Sequence, residues 1–189
     1  VKKRTAAILT AVIMAFGLSA CGKKDEAKET EAASVSTEST EAAADDSIRG
    51  KGAVVVNGFS LSPGVKYSDI KDKLGAEVKP ASSAMPCDPN ARGQVTTYYF
   101  DGFCVEVNVD DVVMSIYLPG EGAANDQVAL ACGLKVGSSR EDAVNTFGLT
   151  GTDAELEYGG TASDGDFYVS FVWDGTISNI SVTDMSIRP

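Results

Sequence analysis

Hydrophobic and polar residues are distributed in three different ways along this chain. Over residues 6–18 the apolar residues run together; over 21–50 they nearly vanish; over 51–189 they return with the periods of strands and helices. The first run, about 13 residues long, falls short of the ~20 that a membrane-crossing helix requires. It follows Lys2-Lys3-Arg4, so the start of the chain has the anatomy of a secretory signal. The second stretch is Lys, Glu, Ala, Ser and Thr with no aromatic residue. It cannot bury enough apolar surface to offset its ordering entropy and is expected to be a disordered acidic linker, in which a short helix over 26–33 would have nothing apolar to hold it. The third stretch is long enough for one compact domain.

Within that domain the pattern repeats. Shifting the sequence by 73 positions aligns residues 60–75 (SLSPGVKYSDIKDKLG) with 133–148 (GLKVGSSREDAVNTFG). Leu61, Gly64, Asp69, Leu74 and Gly75 match Leu134, Gly137, Asp142, Phe147 and Gly148. Each copy predicts a short helix, with Ser68 or Ser138 as its N-cap and the last glycine supplying a left-handed C-terminal turn. A second match follows each helix: residues 104–116 (CVEVNVDDVVMSI) against 168–180 (YVSFVWDGTISNI). Both alternate as strands do and turn at Asp110-Asp111 and Asp174-Gly175, which predicts two hairpins. The acidic turns suit backbone geometry better than calcium, because no ladder of further oxygen ligands surrounds them.

Asp101-Gly102 predicts a third hairpin whose register can be worked out. A two-residue turn pairs Phe100 with Phe103, Tyr99 with Cys104, Tyr98 with Val105 and Thr97 with Glu106, and directly paired residues share a face. One face then gathers Tyr98, Phe100, Phe103, Val105, Val107 and Val109, with Val169, Phe171 and Trp173 from the second copy; this is the expected core side. The opposite face gathers Thr97, Tyr99, Cys104, Glu106 and Asn108, with Tyr168, Ser170 and Val172. The fold expected is α+β: two tandem repeats, about 53–120 and 127–189, each a short helix packed on an antiparallel sheet of about three to four strands.

Composition narrows the chemistry. The chain has 16 Lys and Arg against 27 Asp and Glu, a formal charge of −11, so it should repel nucleic acid and anionic lipid headgroups. It has no histidine, which removes the commonest general base and transition-metal ligand, and with them serine triads, Cys-His pairs and ordinary zinc sites. No catalytic residue, metal ligand or cofactor is expected. Besides Cys21 there are three cysteines, Cys87, Cys104 and Cys132; in an exported chain they predict one disulfide and one odd thiol, with three pairings open.

Leu18-Ser19-Ala20-Cys21 resembles the lipobox of bacterial lipoproteins. The resemblance implies that the Cys21 thiol receives a diacylglyceryl group and that residues 1–20 are removed as a signal peptide. The linker 21–50 and the globular domain 51–189 would then be held at the extracytoplasmic face of the cell membrane. Val1 in place of a start methionine reads as a GTG codon translated literally, so the sequence is expected to be the unprocessed precursor. The helix motif closing on Leu-Gly or Phe-Gly, followed by strands ending in an acidic hairpin, resembles the small envelope lipoprotein domains typified by SmpA. Two such units resemble the beta-lactamase inhibitor protein fold, in which helices lie on one face of an antiparallel sheet and the open side grips a protein. The inhibitor's contact residues have no counterparts here, so a lactamase partner is not implied. The arrangement is also similar to uncharacterised lipoproteins of Gram-positive anaerobes.

The expected function is therefore a membrane-anchored, non-enzymatic module that binds an envelope protein, a peptide or a cell-wall component. Its candidate face is Thr97, Tyr99, Glu106, Asn108, Tyr168 and Ser170, since tyrosines suit interfaces. The alternatives are a carboxylate-based hydrolase, for which Glu106 would need a second carboxylate, and an envelope structural or assembly protein whose sheet face is merely solvated.

Overall fold

A computed structural model describes residues 45–86, 93–120, 123–153 and 155–187. Every described residue belongs to one compact unit, Glu41–Pro189. The signal segment, Cys21, the helix over 26–33 and Cys87 lie outside the described residues.

The architecture corrects the expected fold. Among the described residues there are ten strands and only three short α-helices, and the strands form a three-stranded and a seven-stranded antiparallel sheet rather than two helix-plus-sheet repeats. In chain order the elements are α1 (Ile48–Gly52), β1 (Val54–Val56), β2 (Phe59–Leu61), α2 (Tyr67–Ile70), β3 (Lys79–Ala84), β4 (Val95–Phe100), β5 (Phe103–Val107), β6 (Val113–Leu118), β7 (Val128–Leu130), α3 (Arg140–Phe147), β8 (Gly159–Asp164), β9 (Phe167–Asp174) and β10 (Thr176–Asp184). The large sheet has the order β3-β4-β5-β6-β10-β9-β8. Its centre is the β6–β10 seam, where Ile116 pairs with Val182 and Leu118 with Ile180, all nearly inaccessible. Apolar side chains on the two inner strands thus fuse what the sequence divides into halves.

The first expected helix is mostly absent for want of a local cap. Tyr67 enters the core and stacks on Tyr98 with ring centroids 4.0 Å apart, so the turn starts at Tyr67 with Lys66 before it, whose own side chain makes no cap. Only four α-helical residues form, followed by a 3-10 turn at Lys71–Lys73. Ser68 lies inside the turn, and its N–H donates to the Asp111 carboxylate from 3.1 Å, across 43 positions of sequence. The second helix forms as expected over Arg140–Phe147, but Ser139 caps it, its Oγ accepting from Asp142 N at 3.0 Å. Ser138 instead accepts from Lys135 N. Gly148 closes α3 in the left-handed region at φ 61°. The loop before each helix makes the same exchange with a strand: Gly64 N donates to Val113 O and Val113 N to Val65 O, as Gly137 N donates to Ile177 O and Ile177 N to Ser138 O.

Asp111 explains why an acidic residue sits in that hairpin. It has φ 64°, which Asp tolerates better than most residues, and hydrogen bonding from Ser68, helped by Lys66 and Lys71, holds its carboxyl below the usual range. A depressed folded-state pKa contributes stability above the ordinary carboxylate value, and that contribution disappears as pH falls through the lowered one. Asp111→Gly keeps the backbone conformation and removes the cap. It is expected to lose about 1 kcal/mol at pH 7, and the difference from the parent is expected to shrink as pH falls below the ordinary carboxylate range, as urea unfolding at pH 7 and at stepwise lower pH will measure.

The three-stranded sheet, order β2-β1-β7, was not expected. Its signal was present: Asn57-Gly58, both at positive φ, sits between Val54-Val55-Val56 and Phe59-Ser60-Leu61 and makes a tight hairpin. Val54, Val56, Leu61, Val128 and Leu130 from this sheet, Ala143 and Phe147 from α3, and Ile116, Val169, Phe171, Trp173 and Val182 from the large sheet form one hydrophobic cluster.

Folding also begins before Lys51, inside the stretch expected to be linker. Helix α1 is capped by Ser47, and Gly52 brings it so close to the sheet that a Cβ there would lie 2.5 Å from Val169. Arg49 pairs with Asp184 at 3.0 Å and lies 4.8 Å above the Phe167 ring.

Candidate functional site

The Asp101-Gly102 hairpin has the register worked out from sequence, from Phe100 opposite Phe103 to Thr97 opposite Glu106. Phe100, Phe103, Val105, Val107, Val169, Phe171 and Trp173 are buried, whereas Tyr98 is half-buried. Val109 is 57% exposed because it lies beyond the end of β5 in the turn.

On the opposite face, register places side chains in two rows that cross the large sheet. One runs Ser82, Thr97, Glu106, Ser115, Thr183, Tyr168, Ser163; the next runs Tyr99, Cys104, Tyr117, Ser181, Ser170, Thr161. Five of the six expected site residues, Thr97, Tyr99, Glu106, Tyr168 and Ser170, therefore share one face, and all are partly exposed. Asn108 does not join them. Alternation extends β5 one residue too far: the strand ends at Val107, and Asn108 turns inward to hold the hairpin. Its Oδ1 accepts from Asp110 N and Val112 N at 3.0 Å each, its Nδ2 donates to Ile187 O, and the residue is only 9% exposed.

Sequence reading missed the middle of the face. Tyr117 and Ser115 from β6 and Ser181 and Thr183 from β10 connect the two expected patches. The signal lay in residues 180–183, where Ile180 and Val182 alternate with Ser181 and Thr183. The hydroxyls are tied across strands: Ser82 to Tyr99 at 2.6 Å, Thr183 to Ser115 at 3.2 Å and Thr161 to Ser170 at 3.0 Å. The Lys79 ammonium lies 3.6 Å from the centroid of the Tyr99 ring. Tyr117 donates to Glu106 Oε2 at 3.0 Å. Burial, and secondarily the Glu106 carboxylate, push the Tyr117 hydroxyl up to about 12, so it remains a donor throughout the physiological range.

Register also explains a hollow of about 300 Å³ in this face. Its floor is Ser115 and Thr183, both small and directly paired on the central strands; Glu106 and Tyr117 rise on one side and Tyr168 and Ser170 on the other. Asp184 also borders it, but burial, which alone would raise that carboxyl, is overcome by hydrogen bonds from Ser186 and Arg49 that hold it below the usual range. Cys104 and Cys132 are not joined to each other: Cys104 lies in β5, Cys132 follows β7 in the other sheet, and burial pushes the Cys132 thiol up. Pairings with Cys87 lie outside the described residues. Among the described residues, no three of Cys, Asp and Glu gather as a metal cluster, and no helix is long and apolar enough to cross a membrane.

No protein-family model and no curated protein matches the chain. Among solved structures it is similar to an extracellular protein containing a SCP domain from Bacillus anthracis str. Ames, at 13% identity and a TM-score of 0.47. The match covers 65% of this chain and 44% of that one.

Proposed function

We propose that this chain is a lipid-anchored, extracytoplasmic and non-enzymatic binding module, whose open sheet face takes a polypeptide of the cell envelope. The observation that carries the reading is the face itself: Tyr99, Tyr117 and Tyr168 stand partly exposed among cross-linked hydroxyls on a seven-stranded sheet whose other side is the core. Tyrosine offers a large contact area with little rotamer entropy to lose, and a sheet this wide holds it rigidly. A hydrolase needs a second carboxylate in reach of Glu106, and Asp184 at the hollow's edge is already engaged by Arg49 and Ser186.

Location rests on Lys2-Lys3-Arg4, the apolar run over 6–18 and Leu18-Ser19-Ala20-Cys21. Two acyl chains hold a protein on a membrane where one holds it only weakly. Cys21→Ser is expected to move the protein out of the membrane fraction or to block its processing. Retention of a correctly cut mutant in detergent-free membranes would contradict the anchor.

The binding role is tested by placing a photo-activated cross-linking residue at Thr97 or Ser170, and at Glu141 on α3 as a control, in the whole chain in cells. Polypeptide adducts are expected from the first two positions and not from the third. Adducts of equal yield from Glu141, or none from the face, would overturn the reading.

A further inference from the structure

We propose that the hollow between Glu106 and Tyr168 receives the side chain of a lysine carried by the partner polypeptide. This rests on the reading of the face as a binding surface and adds the chemistry of what it grips. The site is built by the fold: strands β5, β6, β10 and β9 are consecutive neighbours, so Glu106 and Tyr168 stand roughly 14 Å apart along the row, three strand spacings. Between them the two central strands contribute only Ser115 and Thr183 to that row, which leaves a trough of about 300 Å³.

Charge selects the occupant. Glu106 is partly buried and faces the trough, yet among the described residues no Lys or Arg lines it. A carboxylate can accept about four hydrogen bonds; from the described residues Glu106 accepts one, from Tyr117, at Oε2. Asp184, the other carboxylate at the rim, has Arg49 as its counter-ion, so among the described residues the rim carboxylate without one is Glu106. A cation from outside would supply what the described residues do not, and the net charge of −11 favours its approach.

Geometry favours an ammonium over a guanidinium. The Tyr117 hydroxyl already takes one acceptor site of Glu106 Oε2, so a compact ammonium can bind at Oε1 alone, whereas the planar fork of arginine, which binds best to two oxygens in parallel, has to share Oε2 with Tyr117. The Tyr168 ring can cover the lysine methylenes, and Met185 at the end of the trough is an adaptable apolar wall. Hydroxyls of Ser115 and Thr183 on the floor bond to one another, so an entering apolar stem breaks no obligatory contact with them.

The test is titration of the isotope-labelled whole chain, followed by NMR, with acetyl-Ala-Ala-Lys-Ala-Ala-amide. Parallel titrations use the same peptide with Nε-acetyl-lysine, the arginine peptide and an oligomer of N-acetylglucosamine. The lysine peptide should shift Glu106, Tyr117 and Tyr168. Acetylating its lysine, or making Glu106→Gln, which retains the acceptor for Tyr117 and should leave the melting temperature in place, should each weaken binding by roughly tenfold or more. The arginine peptide should bind more weakly than the lysine peptide. Equal binding of the acetylated peptide, indifference to Glu106→Gln, or no response to the lysine peptide would overturn the assignment. A response to the sugar oligomer alone would overturn it while leaving the trough a binding site. Failure of the face as a whole would show separately, as missing adducts at Thr97 and Ser170.

Discussion

Trp173→Ala is expected to cost about 3–5 kcal/mol of stability, enough to remove much of what a domain of this size possesses. The indole is 3% exposed and lies 6.5 Å from the Phe171 ring, between the sheet and the segment that leads from α3 to β8. Its Nε1 donates to Leu156 O at 2.9 Å, and the Arg140 guanidinium sits 5.7 Å from its ring centroid. Truncation therefore opens a cavity and removes the donor that the Leu156 carbonyl uses. Trp173→Phe should recover the packing but not the hydrogen bond, and so fall between the two. Urea unfolding measures all three, and blue-shifted native fluorescence of the parent, poorly quenched by iodide, accompanies the result. A loss below about 1 kcal/mol for the alanine variant would mean that the indole is not packed as described.

Trp173 also marks where sequence is informative. Strand alternation placed it beside Phe171 and Val169 because a period of two is a local property, set by residues that touch along one strand. The same holds for the Asp101-Gly102 hairpin, whose register follows from a turn two residues long. The helices show the limit of such reasoning. Ser139 caps α3 from within the helix motif, and α3 forms; α2 takes its cap from Asp111, which the chain brings up only when β5 and β6 have folded back. A motif whose Gly64 and Gly75 match Gly137 and Gly148 of its partner thus yields one turn where the other yields two.

The β6–β10 seam was hidden for a related reason. Ile116 and Val182 look the same whether they end two separate sheets or join one, since both arrangements bury them. Their pairing turns two patches of tyrosine and hydroxyl into one face and puts Tyr117, Ser115 and Thr183 at its middle. Asn108 was misplaced because alternation has no means of announcing where a strand stops; its side chain, with two N–H groups of its own turn within reach, chose the local bonds available to Asn.

Loss of partner capture from the tyrosine pair is the other large effect expected. Tyr99 and Tyr168 lie at opposite flanks of the face, in different rows, and neither belongs to the hydrophobic cluster. Removing Tyr99 gives up the Ser82 hydrogen bond and the Lys79 contact, both at the surface and together worth about 1–2 kcal/mol. The most direct measurement is therefore recovery of the cross-linked envelope partner by the whole chain carrying both Tyr99→Ser and Tyr168→Ser, with urea unfolding of the same protein alongside. If the open face is the binding surface, the variant folds with a stability close to the parent's and recovers no partner; undiminished recovery by the folded variant would place the partner elsewhere and contradict the account.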